Sequence, residues 1–176
     1  MVPVGKPARV YFVELQLRQH GALIDRNVYW LSTQRDVVNW GATLDRPQGV
    51  MSQYANLAAL HALHTSRVSV TAKTTRRAGP DGANLATTVT IRNTSASTVA
   101  FLLRADVRRG TRSGHELSGD NELQTSLWRA NDITLFPGES QTLKVTYDSA
   151  SLRGATPVIS VSGWNVPQKD VPAPVP

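Results

Sequence analysis

Few residues of this chain are placed to do chemistry, and most of them fall in polar loops. His61 and His64 stand at i, i+3, so two imidazoles could meet on one helical face, but no third ligand lies near enough to complete a tetrahedral zinc site. The pair reads as part of an exposed connector. Glu116, Asp120 and Glu122 gather acidic groups in one stretch, yet their spacing lacks the alternating oxygen ligands of a calcium loop. They read as a solvated loop. Cleaving a glycosidic bond would require two carboxylates held roughly 5–9 Å apart in a pocket, and a small sandwich alone seldom builds one. No glycine-rich strand-to-helix loop, nucleophile-elbow pentapeptide or Walker lysine motif occurs. The sequence therefore leads us to expect no catalytic residue, no metal ligand and no cofactor.

The tryptophans carry more information. Trp128 precedes Arg129-Ala130-Asn131-Asp132, and Trp164-Asn165 follows Gly163. An indole face can cover the C–H groups of a sugar ring while a neighbouring amide fixes its hydroxyls. Trp128, Asn131, Trp164 and Asn165 are thus the candidate carbohydrate contacts. The competing reading is that each tryptophan caps the open end of a core.

Composition narrows the classes of partner. The 176 residues, 40% hydrophobic, can fill one substantial core and a small second unit. Nineteen basic against 13 acidic residues give a net charge of +6, but apart from Arg76-Arg77, Arg108-Arg109 and Arg112 the cations are scattered and lie away from the aromatics. A nucleic-acid surface would set a basic stripe beside stacking rings, so no nucleic-acid partner is expected and the Arg pairs read as solvated loop ends. The absence of cysteine rules out disulfides and thiolate-bound metal. No apolar run approaches membrane-spanning length, and Met1-Val-Pro-Val-Gly does not resemble a signal peptide, so the chain reads as an interior piece of a longer one with no membrane contact. Asn93-Thr94-Ser95 matches a glycosylation triplet of a kind that arises often by chance.

The elements that must position these groups are strands. Tyr11, Val13, Leu15 and Leu17 alternate with other residues over 10–17, and 23–31 is rich in β-formers, so the two runs predict an antiparallel hairpin about Gly21. Residues 32–66 change character, with Gly41, Pro47 and Gly49 followed by the Ala/Leu-rich 54–60 stretch, and predict a linker holding at most a short helical turn. From Arg67 onward, alternating runs recur at short intervals around Val68, Leu85 to Ile91, Phe101 to Val107, Ile133 to Leu135, Leu143 to Tyr147 and Pro157 to Trp164. Turn clusters at 78–82, 93–97 and 136–139 separate them. About seven strands in about 100 residues predict an all-β, immunoglobulin-like β-sandwich. The proline-rich end, Val171 to Pro176, is expected to stay extended and exposed because it has few N–H donors.

Three segments in order carry a family resemblance: Arg26-Asn27-Val28-Tyr29-Trp30-Leu31, Asn131 to Ser140 and Val161 to Pro167. Together they resemble the C-terminal end of glycoside hydrolase family 2 enzymes of the exo-β-D-glucosaminidase type, with β-mannosidases as close relatives. The resemblance runs from about Val10 to Pro167. It implies that residues 1–45 hold the closing hairpin of a preceding immunoglobulin-like domain, 46–66 a linker, 67–166 a complete immunoglobulin-like domain and 167–176 a proline-rich tail. The catalytic carboxylates of such enzymes belong to a separate (β/α)8 barrel, so no position here inherits a catalytic role. The implied chain is a non-catalytic accessory module whose partner is the parent's catalytic domain, which it braces and whose sugar site it helps to rim. Secretion or a periplasmic location follows from the resemblance alone. With most of the preceding domain absent, the hairpin is expected to lay its apolar face on the sandwich or on a second copy, forming a homo-oligomer. Two alternatives remain: a free-standing carbohydrate-binding module for chitosan- or mannan-type oligosaccharides, and a surface adhesion domain. The positive net charge weighs against chitosan, itself a polycation.

Overall fold

The structure, a computed structural model, describes residues 10–78, 84–119 and 121–176. The turn expected at Gly79 to Gly82 and the side chain of Asp120 lie outside the described residues. The chain divides into two compact units, Met1–Leu63 and His64–Pro176. No helix among the described residues is long and apolar enough to cross a membrane.

In the first unit β1 (Val10–Gln19) and β2 (Ala22–Ser32) form the expected hairpin, paired from Val10↔Ser32 to Gln19↔Ala22 with a register shift between Leu17 and Arg18. Two residues make the turn, His20 at φ 49° and Gly21 at φ 83°. Two consecutive left-handed residues give the turn whose twist matches that of the strands, and glycine relieves the second position. The stretch read as a linker is partly structured: β3 (Val37–Val38) pairs with β4 (Met51–Gln53) around a short helix, α1 (Trp40–Thr43). Asn39 caps that helix through the Ala42 amide, and the expected helical turn is a 3₁₀ turn at Ala58–Ala62.

The second unit is the sandwich. Its strands are β5 (Val68–Arg76), β6 (Leu85–Asn93), β7 (Ala100–Gly110), β8 (Leu127–Trp128), β9 (Ile133–Leu135), β10 (Ser140–Tyr147), β11 (Thr156–Gly163) and β12 (Val166–Pro172). They form two four-stranded sheets, β5-β6-β10-β8 and β12-β11-β7-β9. The alternation read from the sequence becomes burial here. Leu85, Val89 and Ile91 of β6 and Leu143 and Val145 of β10 face Leu103, Ala105, Val107, Ile159 and Val161 of the other sheet, and all are at most 1% exposed. Burying a side chain of this kind contributes about 1.5–3 kcal/mol.

One polar chain crosses this core. Tyr147 Oη lies 2.7 Å from Thr87 Oγ1, which lies 2.8 Å from Thr74 Oγ1, which donates at 2.8 Å to the Ala173 carbonyl. A carbonyl only accepts, so each hydroxyl passes its hydrogen one step along, from Tyr147 through Thr87 and Thr74 to Ala173, and every oxygen is satisfied. Burial pushes the Tyr147 hydroxyl above its usual value, opposed in part by its hydrogen bonding with the threonines.

One expectation is corrected. The proline-rich end joins the sheet: β12 pairs with β11 from Gly163↔Val166 to Val158↔Pro172, the Ala173 amide donates to the Pro157 carbonyl at 2.9 Å, and Ala173 is fully buried. Pro167 and Pro172 sit at the two ends of an edge strand, where missing donors are tolerated and the four residues between them can still pair. The glycosylation triplet is structural. Asn93 is fully buried, donating to the carbonyls of Thr98 at 2.8 Å and Leu135 at 2.9 Å while its own oxygen accepts from the Ser95 amide.

Candidate functional site

The four candidate sugar contacts occupy different positions on the sandwich. Trp128 pairs with Val145, an inward residue of β10, so it lies half-buried against the core edge. Asn131 sits where β9 has not yet begun, and its side chain takes the place of a strand: Oδ1 accepts from the Ala105 amide at 2.8 Å and Nδ2 donates to the Ala105 carbonyl at 2.9 Å. Asn165 turns the chain between β11 and β12. Its Oδ1 accepts from the Phe101 amide at 3.0 Å, and its Nδ2 donates to the carbonyls of His64 and Val99, each at 2.8 Å. Both amides are thus committed to backbone groups that would otherwise be orphaned. Trp164 is 51% exposed, with one edge against the Phe101 ring at a centroid distance of 6.3 Å and an interplanar angle of 64°. An open cleft of about 420 Å³ beside Trp128 is lined by none of the other three candidates.

The acidic loop and the arginines beside it form a set that the sequence reading missed. Arg104, Asp106 and Arg108 stand at i, i+2 and i+4 of β7 and therefore share its outer face. The polar loop after β7 folds back over that face. A Cβ at Gly110 would lie 2.5 Å from the His115 carbonyl oxygen, so the close approach requires glycine. Arg108 Nη1 reaches both oxygens of Glu116, at 3.0 and 2.9 Å, and its Nη2 lies 3.7 Å from Asp106. Arg104 lies 3.1 Å from Asp106 and 3.7 Å from Glu122. Asn121 and Gln168 add donors to Glu116 at 3.1 and 2.8 Å.

The expectation of solvated loop ends therefore fails at Arg108 and Arg109. Both lie within β7 and are half-buried, Arg109 donating to the Ser151 carbonyl. Glu116 and Glu122 likewise act as ion-pair partners under the loop. The legible signal was the i, i+2, i+4 pattern, which assigns three charges to one strand face.

The electrostatics of this set bear on catalysis. Burial acts to raise the Glu116 carboxyl, but hydrogen bonds from Arg108 and Asn121 and the Arg108 charge outweigh it, leaving Glu116 below the ordinary carboxylate value. A general acid needs the opposite, a carboxyl kept protonated near neutral pH. Asp106 contacts Arg104 and Arg108, and Glu122 lies 3.7 Å from Arg104. Among the described residues no three His, Asp or Glu side chains gather as a metal site.

Comparison with known proteins places the chain. Residues 48–166 match the family model of the exo-β-D-glucosaminidase immunoglobulin-fold domain. The exo-β-D-glucosaminidase of Streptomyces avermitilis is 41% identical over 153 residues, covering 87% of this chain and 16% of the relative. That of Amycolatopsis orientalis is 38% identical over 154 residues, covering 87% of this chain and 14% of the relative. The crystal structure of the Amycolatopsis orientalis exo-chitosanase CsxA superposes with a TM-score of 0.79 at 35% identity, covering 98% of this chain and 19% of that one. The chain thus spans less than a fifth of the length of these proteins.

Proposed function

The chain belongs to the exo-β-D-glucosaminidase immunoglobulin-fold family, and from that premise we propose that it serves a secreted glycoside hydrolase of family 2 as a non-catalytic accessory domain. In this reading it braces the barrel that carries the catalytic carboxylates and presents Trp164 toward the rim of the sugar site. The observation that carries the non-catalytic part is the ion network on β7. Glycoside hydrolysis requires one carboxyl protonated and a second ionised, whereas Glu116 is held ionised and paired with Arg108, and Asp106 and Glu122 face Arg104.

The support for Trp164 is its exposure. It is a large apolar ring left half in solvent at the end of β11, beside an Asn165 whose amide fixes the local backbone. The same amide has no donor left for a sugar hydroxyl, so Trp164 would act by ring contact alone.

Incubating this chain with p-nitrophenyl β-D-glucosaminide tests the first part. We expect no release of nitrophenol above buffer. Release that disappears in Glu116→Gln would assign a catalytic carboxylate here and overturn the proposal.

A further inference from the structure

The outward face of the β5-β6-β10-β8 sheet is unlike the rest of the sandwich surface. Its inward residues form the core, and its outward positions are threonine and serine apart from Ala86, Leu127, Lys73, Arg92 and Lys144, with no carboxylate among them. The register puts Lys73, Thr88 and Lys144 in one row across three strands. The Arg129 amide donates to the Lys144 carbonyl at 3.0 Å, so Arg129 continues the row at the fourth strand. Lys144 and Arg129 thus meet as like charges across the ladder, an arrangement that destabilises a strand pair unless an anion lies between them.

No described residue supplies that anion. The side chains of Lys144, Arg129, Thr88 and Thr146 make no hydrogen bond or ion pair. Together with Arg77 they line the open cleft of about 420 Å³ beside β8. The other sheet differs: its outer arginines, Arg104 and Arg108, are both neutralised within the domain.

We infer that this cationic, hydroxyl-rich face is a docking surface for the carboxylate side chains of an acidic protein segment, with Lys144 and Arg129 as the pair that receives them. The inference rests on the accessory-domain reading and gives the brace a location and a chemistry. Charge complementarity chooses the occupant. The one ring at this cleft, Trp128, is half-buried and packed against the core, so a run of nucleic-acid bases or sugar rings finds no series of exposed rings to stack on, and a cationic glucosamine chain would be repelled. A protein carboxylate requires only the charges, the Thr88 and Thr146 hydroxyls and the exposed Leu127 at the sheet edge.

The test is titration of this chain with a glutamate- and aspartate-rich decapeptide, followed by backbone amide NMR shifts. The expected result is saturable binding with shifts confined to β5, β6, β10 and β8, weakened at least about tenfold between about 50 and about 300 mM salt. Binding should be lost in the double variant Lys144→Glu/Arg129→Glu while its unfolding midpoint stays that of the parent. Absent shifts, shifts located elsewhere, or a double variant that binds unchanged would overturn the inference. So would inorganic phosphate, a single-stranded oligonucleotide or a chitosan oligosaccharide binding this face as tightly as the peptide. None of these results touches the hydrolysis assay above, so the two proposals fail separately.

Discussion

The hairpin and the sandwich start from the same sequence pattern and end differently. In β1 and β2 the residues Tyr11, Leu15, Leu17, Tyr29 and Leu31 share one face with Val13 and remain 40–63% exposed. In β6 and β10 the equivalent alternating residues, from Leu85 to Val145, are at most 1% exposed. Alternation specifies a strand with an apolar side. Burial is a property of a second layer, and the sandwich provides one whereas a two-stranded ribbon does not.

The contrast can be broken by matched substitutions. Leu143→Ala should cost about 2–5 kcal/mol, because it opens a cavity where the opposing sheet cannot follow, whereas Leu17→Ala should stay within about 0.5 kcal/mol. Urea unfolding followed by far-UV circular dichroism measures both. Equal costs would mean that the hairpin face is covered in solution, as the expected self-association would require, and sedimentation would then report a dimer.

A smaller effect sharpens the contrast inside the sandwich. Asn165→Ala removes three bonds to backbone groups at the β11–β12 turn and should cost about 2–3 kcal/mol. Amide exchange should accelerate at Phe101 and leave β1 and β2 unchanged. A stable Asn165→Ala chain that loses sugar affinity shown by the parent would instead place Asn165 in a binding role.

The smallest effect is the pH dependence of Glu116. Its folded value lies below the unfolded one, so the stability it contributes is present above the ordinary carboxylate value of about 4.3 and is lost as pH falls through the lower folded value. Glu116→Gln should flatten the acid limb of thermal stability below about pH 4.3 by a modest amount, since the pair with Arg108 keeps some solvent access. The hairpin carries a carboxylate–arginine pair of its own, Glu14 with Arg26 at 3.3 Å. An acid limb unchanged in Glu116→Gln would assign the dependence to other carboxylates.

Legibility varied by residue type. The strands at Leu85 to Ile91 and Leu143 to Tyr147 were readable because period-2 alternation follows directly from the pleat, and the His20-Gly21 turn because left-handed backbone favours glycine. The roles of Asn131 and Asn165 were not readable. An amide that clamps Ala105 and one that satisfies Phe101 look in sequence like amides waiting for a ligand, because the partner is more than 20 residues away. The proline-rich end misled for a related reason. Counting missing donors predicts an unpaired tail, but an edge strand needs only half its donors, and its place at an edge is a fact of sheet order.

By itself, then, the sequence determined which segments are strands, which residues face one another's interior and where the chain must turn, because those are local demands of backbone sterics and side-chain polarity. The tertiary structure alone decided the order of strands in each sheet, the hydroxyl chain from Tyr147 to Ala173, and the folding of the acidic loop over β7. It also decided that Lys144 and Arg129 share one sheet face with no side-chain ion pair among the described residues. Each of these depends on groups distant in sequence meeting in space, and an isolated hydroxyl, amide or lysine carries no local mark of what it will meet.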